Sequence, residues 1–275
     1  MNTHDVYNLA LTAIITLTLI ALPLVIIILI RLRAALPQHR PSRAHRTSLA
    51  SVEPGTTCTT TIFLGSGGHT AEMLQLVSGL DSQKYAPRHY VVGWDDEASV
   101  EKVHRLETSR GQTCLTSPTD QKASPGSRAI EQEGYTIHRI PRSRHVGQSF
   151  LTTPFTLLKS LSVAMPMIKR LTCLSREDVT PGSTRTGSTG HGKKSVLLMN
   201  GPGTCFALAL AVIGARMAGM PDAQTPALVF IESFARVGTL SLAGKLVYPL
   251  CDHFLVQWPG LQKKYPRAEY IGVLV

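Results

Sequence analysis

The sequence predicts an α/β protein: a Rossmann-like parallel sheet with helices on both faces, preceded by one N-terminal transmembrane helix. Three observations carry that prediction. An apolar run at 6–30 holds no Lys, Arg, Asp or Glu, and its roughly 25 residues exceed the ~20 a helix needs to cross the hydrocarbon. Beyond it, short β-branched runs alternate with helix-like segments, the pattern of a parallel sheet covered by helices. Five loops of unusual composition each begin where a strand is expected to end.

The apolar run reads as an uncleaved anchor. A signal peptide has a basic start and an apolar core of ~7–15 residues, whereas Met1–Asp5 carries no Lys or Arg. Arg31, Arg33, Arg40, Arg43 and Arg46 all follow the run, so the positive-inside rule leaves residues 1–5 lumenal and the C-terminal side cytosolic. These arginines also suit anionic headgroups. Pro23 kinks such a helix without vetoing it, because neighbouring groups in a membrane re-satisfy the freed carbonyl. Residues 31–57 form a basic juxtamembrane linker, and 58–275 a cytosolic domain.

Within that domain, strands are expected at Thr59–Leu64, Arg88–Gly93, Tyr135–Ile140, Ser195–Met199, Ala227–Ile231 and His253–Gln257. SVLLM and ALVFI are apolar throughout, as strands are when both sheet faces are buried. Helices are expected at Gly68–Ser78, Glu97–Glu107, Ser149–Leu171, Thr204–Ala218 and Leu240–Tyr248. The Ser149–Leu171 stretch is apolar enough either to lie on the sheet or to sit in the membrane interface. Two Gly-, Ser-, Thr- and Pro-rich stretches, 108–128 and 172–194, cannot bury enough apolar area to order themselves and read as mobile insertions.

The five cysteines, Cys58, Cys114, Cys173, Cys205 and Cys251, are odd in number and lack CxxC spacing. That is the usage of reduced cytosolic thiols and suggests neither a disulfide framework nor a zinc site. The net charge of +10 and pI near 9.6 raise nucleic-acid binding. Much of the excess lies beside the apolar run and in loops, which favours anionic lipid or pyrophosphate over nucleic acid.

The five loops are GSGGHT (Gly65–Thr70), PRSRHVG (Pro141–Gly147), NGPGTC (Asn200–Cys205), ESFARVGT (Glu232–Thr239) and WPG (Trp258–Gly260). In open parallel sheets ligands bind outside the carboxyl ends of the strands, so these loops line one site. Gly65, Ser66, Gly67, Gly68 and Thr70 lie between a strand and a helix, where first-turn N–H groups point at an anion such as a diphosphate. A dinucleotide fingerprint would place glycine where Thr70 stands, although Asp95 or Asp96 could mimic its ribose-binding acid. His69 fits three roles: general base, donor to a phosphate, or partner of a local carbonyl. Arg142 and Arg144 alternate in an extended segment and suit an anion clamp. Asn200, Gly201, Gly203 and Thr204 resemble a second anion-holding turn, with Thr204 near a helix N-cap. Glu232 and Arg236 fit either ligand contacts or an internal ion pair.

At these residues the chain resembles the membrane-anchor subunit of the two-part N-acetylglucosaminyltransferase of asparagine-linked glycosylation, the Alg-fourteen family. The matching segments are LGSGGHTAEML, YAPRHYVV, HRIPRSR, NGPGTC, ESFARVGTLSLAGK and DHFLVQWPGLQKKYP, in family order from Phe63 to the C-terminus. The resemblance implies the acceptor-side Rossmann half of a GT-B glycosyltransferase. It is similar to the N-terminal half of the bacterial enzyme that adds N-acetylglucosamine to a lipid-linked cell-wall precursor. About 220 residues follow the linker, room for one such domain and not two.

The resemblance further implies a single-pass protein of the endoplasmic reticulum, with the nuclear membrane as a second location and the domain on the cytosolic side. Its partner would be a soluble catalytic subunit carrying the donor-binding half. Together they would transfer N-acetylglucosamine from UDP-GlcNAc to GlcNAc-diphosphodolichol, so this chain is an enzyme only as a subunit. Gly65–Thr70 would face the acceptor diphosphate, with His69 near the 4-hydroxyl of its sugar. Arg142, Arg144, Asn200, Gly201, Gly203, Thr204 and Glu232 would support that site. Tyr270, Ile271, Val273, Leu274 and Val275 would dock the partner. No metal or other cofactor is implied. His145 stands where the family pattern leads one to expect an acid, which puts that acid's role in doubt. Two other readings remain open at this point: a pure recruiting scaffold, and a membrane-tethered dinucleotide-dependent oxidoreductase.

Overall fold

The computed structural model describes residues 21–23, 25–37, 57–111, 113–114, 134–144, 147–149, 151–177, 194–220 and 224–274. Among these residues eight strands form one sheet: β1 (Cys58–Phe63), β2 (Arg88–Gly93), β3 (Thr113–Cys114), β4 (Gly134–Ile140), β5 (Lys194–Met199), β6 (Ala227–Ile231), β7 (His253–Val256) and β8 (Ala268–Tyr270). Every pairing is parallel, in the order β3-β4-β2-β1-β5-β6-β7-β8. The chain therefore builds outward from β1 in one direction and from β5 in the other. The two crossovers diverge between β1 and β5, and that switch point is where such sheets open a crevice.

Among the described residues six helices cover the sheet: α1 (Gly67–Ser78), α2 (Glu97–Ser109), α3 (Thr153–Glu177), α4 (Thr204–Met217), α5 (Leu242–Val247) and α6 (Pro259–Lys264). Strand residues alternate between two cores with the period-two geometry of a pleated strand. Phe63, Val91, Ile140, Leu197, Met199, Leu228, Phe230 and Phe254 face α3 and α4. Ile62, Leu64, Tyr90, Val92, Tyr135, Val196, Val229 and Ile231 face α1 and α2. Burial on both faces explains why SVLLM and ALVFI need no polar alternation. Helix α4 is buried nearly all round, from Cys205 to Arg216, as a helix without a polar face must be. It is tightly packed, since a Cβ at Gly214 would lie 3.3 Å from the Met165 sulfur of α3.

Charges buried with the sheet are paired. Arg88 Nε and Nη2 donate to the two carboxylate oxygens of Glu107 at 2.9 and 2.7 Å, and the Tyr90 hydroxyl donates to the same carboxylate. Arg216 Nη2 donates to Asp252 at 2.6 Å, and Asp252 also accepts from the backbone N–H of Leu228 at 2.8 Å.

The sequence-based boundaries shift in three places. β3 lies inside the expected insertion at 108–128, and α3 runs six residues into the one at 172–194; residues 115–133 and 178–193 lie outside the described residues. β8 and α6 were not foreseen, because three and six residues are too few to show a period. The expected membrane span at 6–30 falls largely outside the described residues, and among those described no helix is long and apolar enough to cross a membrane. Residues 21–23 and 25–35 are helical, with Ile27, Leu29 and Ile30 exposed. The end of this segment docks on the domain: Ala35 is buried with the core, Leu32 and Leu36 pack against it, and Arg31 donates to the Met217 carbonyl at 3.1 Å.

Candidate functional site

The loops after β1 and β5 meet at the switch point because glycine lets them. A Cβ at Gly65 would lie 2.4 Å from Cδ of Pro202, and one at Gly201 would lie 2.7 Å from Cγ of His69. Gly201 also has φ 102 and Gly67 φ 59, with Ser66 between the loop and α1 at φ 71, ψ 154. That backbone region is essentially reserved for glycine and costs a residue such as Ser about 1–3 kcal/mol. Nothing stands within 4 Å of where a Cβ would be at Gly67 or Gly68, so the first-turn amides of α1 are approachable by an anion.

A cleft of about 190 Å³ opens here, lined by Gly65, Ser66, His69, Gly93, Asp96, Arg142, Arg144, Pro202 and Thr204 among others. The His69 imidazole bridges the two loops, with Nδ1 3.0 Å from Oδ1 of Asn200. Asn200 is fully buried, and its Nδ2 donates to Glu72 Oε2 at 2.8 Å. Glu72 Oε1 accepts from the Ser233 hydroxyl at 2.8 Å. This chain joins the loops after β1, β5 and β6. A carboxylate only accepts, so the Asn200 amide group faces Glu72 and its oxygen faces His69. A neutral His69 that donates to this oxygen would carry its proton on Nδ1 and leave Nε2 as the acceptor.

Arg142 leaves β4 across the end of β2, where a Cβ at Gly93 would come within 3.1 Å of its Nε. Among the described residues its guanidinium has no hydrogen-bond or ion-pair partner, and it lines the cleft. Arg144 also lines the cleft, but its Nε and Nη2 turn back to the Gln148 carbonyl at 3.3 and 3.1 Å. The two arginines thus differ in their contacts, which their alternation in sequence does not show. Asp96 lies at the rim and caps α2, accepting from Ser99 N at 3.2 Å, while Asp95 is exposed.

Three expected site residues hold the framework together, and one of them, Thr204, also lines the cleft. The Thr70 hydroxyl is buried and bonded to that of Ser99 at 2.8 Å, joining α1 to α2. Thr204 is the first residue of α4, whose N-cap is Gly203. Its hydroxyl accepts from Ser143 N at 3.2 Å and so fixes the loop carrying Arg142. A Cβ at Gly203 would approach the Ser143 hydroxyl to 3.3 Å, so that glycine keeps the same two loops together. Among the described residues no cluster of His, Cys, Asp and Glu is arranged to hold a metal ion.

Residues 60–274 match the family model described as "Oligosaccharide biosynthesis protein Alg14 like". The chain belongs to the Alg14 family. It is 36% identical to a rat protein named UDP-N-acetylglucosamine transferase subunit ALG14, over 96% of this chain and all of that one. The human protein of that name is 35% identical over 82% of this chain and 86% of its own. The fission yeast counterpart, Schizosaccharomyces pombe strain 972, is 38% identical over 78% of this chain and 81% of its own. Among solved structures, the crystal structure of LpCGTa in complex with UDP aligns with 80% of this chain and 53% of that one. It does so at 12% identity and a TM-score of 0.39, too distant to support an argument.

In this Alg14-family chain Glu232 is removed from the cleft. It is buried, and its carboxylate accepts from Ser233 N at 3.2 Å and from Ser241 N and Oγ at 3.0 and 3.1 Å. Burial raises its pKa, and those three donors oppose the rise. A Cβ at Gly244 would sit 2.2 Å from its Oε2, so the family-matching ESFARVGTLSLAGK segment folds tightly around this one carboxylate. Of the C-terminal residues, Tyr270, Ile271 and Val273 are exposed. Leu274 packs inward against the core and donates its N–H to Gln257 at 3.0 Å. Val275, His145 and Val146 lie outside the described residues.

Glu72 escaped the sequence reading, although a signal existed. It stands three residues after His69, one turn along the same helix face.

Proposed function

We propose that this chain is the membrane-anchoring, acceptor-presenting subunit of a UDP-N-acetylglucosamine transferase. Its complex would add N-acetylglucosamine to GlcNAc-diphosphodolichol on the cytosolic face of the endoplasmic reticulum. The names of its relatives support the enzyme class, and the apolar run at 6–30 supports the anchor. The observation that carries the residue roles is the His69–Asn200–Glu72 chain, which holds His69, a residue of the first turn of α1, through Nδ1.

In this reading the acceptor diphosphate rests on the α1 amides and on the Arg142 guanidinium. The hydroxyl of its sugar faces His69. That hydroxyl oxygen attacks the anomeric carbon of the donor, the bond to UDP breaks with inversion, and the hydroxyl proton passes to Nε2. The donor is held by a separate soluble subunit, which docks on the exposed Tyr270, Ile271 and Val273. Confining acceptor and recruited donor to one cleft turns a bimolecular encounter into a positioned one.

The route from the bilayer has its own support. Leu151, Phe155 and Leu158 are 86%, 77% and 65% exposed and fall at helical spacing. Thr156 of the same turn donates to the Ser143 carbonyl at 2.6 Å, which puts this apolar face next to the cleft loop. Lys159 lies over the Trp94 ring at 5.1 Å, a basic group at the edge of an apolar face, as interfacial helices carry. These exposed positions support the interfacial reading for the start of the Ser149–Leu171 stretch, while Ala164, Met167 and Ile168 further along it lie buried with the sheet.

The test is transfer by the full-length chain co-expressed with its soluble partner. His69→Ala is expected to reduce the rate about 10²–10⁴-fold while the partner still co-purifies. Arg142→Ala is expected to raise the acceptor KM. Unchanged transfer in both variants would leave a recruiting scaffold, and full transfer by the purified chain alone would refute the division of labour.

A further inference from the structure

Glu72 contributes an acceptor-only group to a chain of hydrogen bonds whose far end is the His69 ring. Its side chain is 17% exposed, against 38% for that of His69, and its nearest oxygen is 3.9 Å from His69 Nδ1. It is thus too far for a direct hydrogen bond. It acts through Asn200. Asn200 is fully buried and can present either its oxygen or its amide group to His69. Glu72 removes the choice by demanding the amide group for itself, at 2.8 Å. The oxygen then faces His69 at 3.0 Å and demands a proton on Nδ1. A histidine side chain in water favours its proton on Nε2, so the pocket holds the ring in the less favoured tautomer.

We propose that Glu72 is a positioning residue: it selects the Nδ1–H tautomer of His69 and thereby keeps Nε2 available as a proton acceptor in the cleft. The consequence for catalysis rests on the base role proposed for His69, but the tautomer does not. A glutamine side chain at position 72 keeps the shape and can face Asn200 with either its oxygen or its amide group. The Ser233 hydroxyl, which also accepts from Ala235 N at 3.3 Å, tolerates both. The buried amide of Asn200 is then free to turn over. When it does, its NH₂ donates to Nδ1 and Nε2 becomes protonated.

The experiment uses the full-length chain with its soluble partner, labelled with ¹⁵N-histidine, His69 being assigned from the signal lost in His69→Gln. At a pH where the ring is neutral, the wild-type His69 signals are expected to be those of an Nδ1–H tautomer. In Glu72→Gln they are expected to move toward Nε2–H. Turnover is expected to fall about 10–100-fold, as when a ligand-orienting partner is lost, with the acceptor KM within about two-fold. The double variant Glu72→Gln/Asn200→Asp reverses the polarity of the pair. The carboxylate introduced at position 200 accepts both from Nδ1 and from the amide group introduced at position 72, so the tautomer and most of the turnover are expected to return. This also serves if Glu72→Gln alone folds poorly.

A wild-type His69 already protonated on Nε2, or an Nδ1–H signal unchanged in Glu72→Gln, would overturn the proposal. A tautomer that responds as expected without any change in turnover would instead overturn the base role of His69 and leave the tautomer assignment standing.

Discussion

An alanine at position 65 would place its Cβ 2.4 Å from Cδ of Pro202, 3.1 Å from the Asn200 carbonyl oxygen and 3.2 Å from Cβ of His69. Carbon atoms rest roughly 3.5–4.0 Å apart, so the loops after β1 and β5 must separate by roughly 1 Å. Neither side yields cheaply, because the Pro202 ring is rigid and the other two atoms belong to or adjoin backbone. Overpacking of this size costs about 1–3 kcal/mol, a fall in Tm of about 2–12 °C for a domain of this length. The larger effect is on the site. A further ångström on the 3.0 Å His69–Asn200 contact takes it beyond hydrogen-bond range, and a 1 Å misplacement near the chemistry costs on the order of 100-fold in rate. The assay is thermal unfolding alongside transfer from labelled UDP-GlcNAc to lipid acceptor, with the partner present. Gly68→Ala is the control, since its Cβ meets nothing within 4 Å: Tm should hold while the acceptor KM rises. A Gly65→Ala complex with wild-type Tm and rate would refute the tight apposition of these two loops and the dependence of the site on it.

Three further outcomes are expected. Glu107→Gln leaves the buried Arg88 guanidinium without one of its two carboxylate oxygens, and the loss should approach the ~3–5 kcal/mol of a broken buried pair, read as a lowered unfolding midpoint. Burial raises the Glu232 pKa in the folded chain. The carboxyl thus binds its proton more tightly folded than unfolded, and its contribution to stability is lost as pH rises from the ordinary carboxylate range through the raised value. Glu232→Gln should flatten that dependence in Tm measured against pH. It should also cost about 1–3 kcal/mol at neutral pH, because one amide group then faces N–H donors. Ile271→Asp with Val273→Asp, both at exposed positions, should preserve the unfolding midpoint and reduce co-purification of the soluble partner; undiminished recovery would remove the tail from the docking surface.

Much of the architecture was legible because burial on both sheet faces writes itself into continuous apolar runs. Ala227–Ile231 falls where its apolar run put it. The elements that were not legible are short. A strand of two residues at Thr113–Cys114 or three at Ala268–Tyr270 has no period to detect and exists only because β4 and β7 offer an edge. The loops of the site were legible as special through their glycines and arginines, but the partners of those residues were not. Thr70 looked like a ligand group from its place in GSGGHT and proves to tie α1 to α2. Glu232 looked like a cleft residue from its place after β6 and proves to be the buried centre of its own loop.

Local sequence determined where the chain can bend, which helices open on glycine-rich turns, and that an apolar segment long enough to span a membrane precedes the domain. Those properties depend on neighbours a few residues apart. Tertiary structure decided the strand order, and with it that GSGGHT and NGPGTC face each other across the switch point between β1 and β5. His69 and Asn200 are 131 positions apart, and Asn200 and Glu72 are 128, separations at which only the packed sheet determines who meets whom. The contacts of the His69 ring are set there.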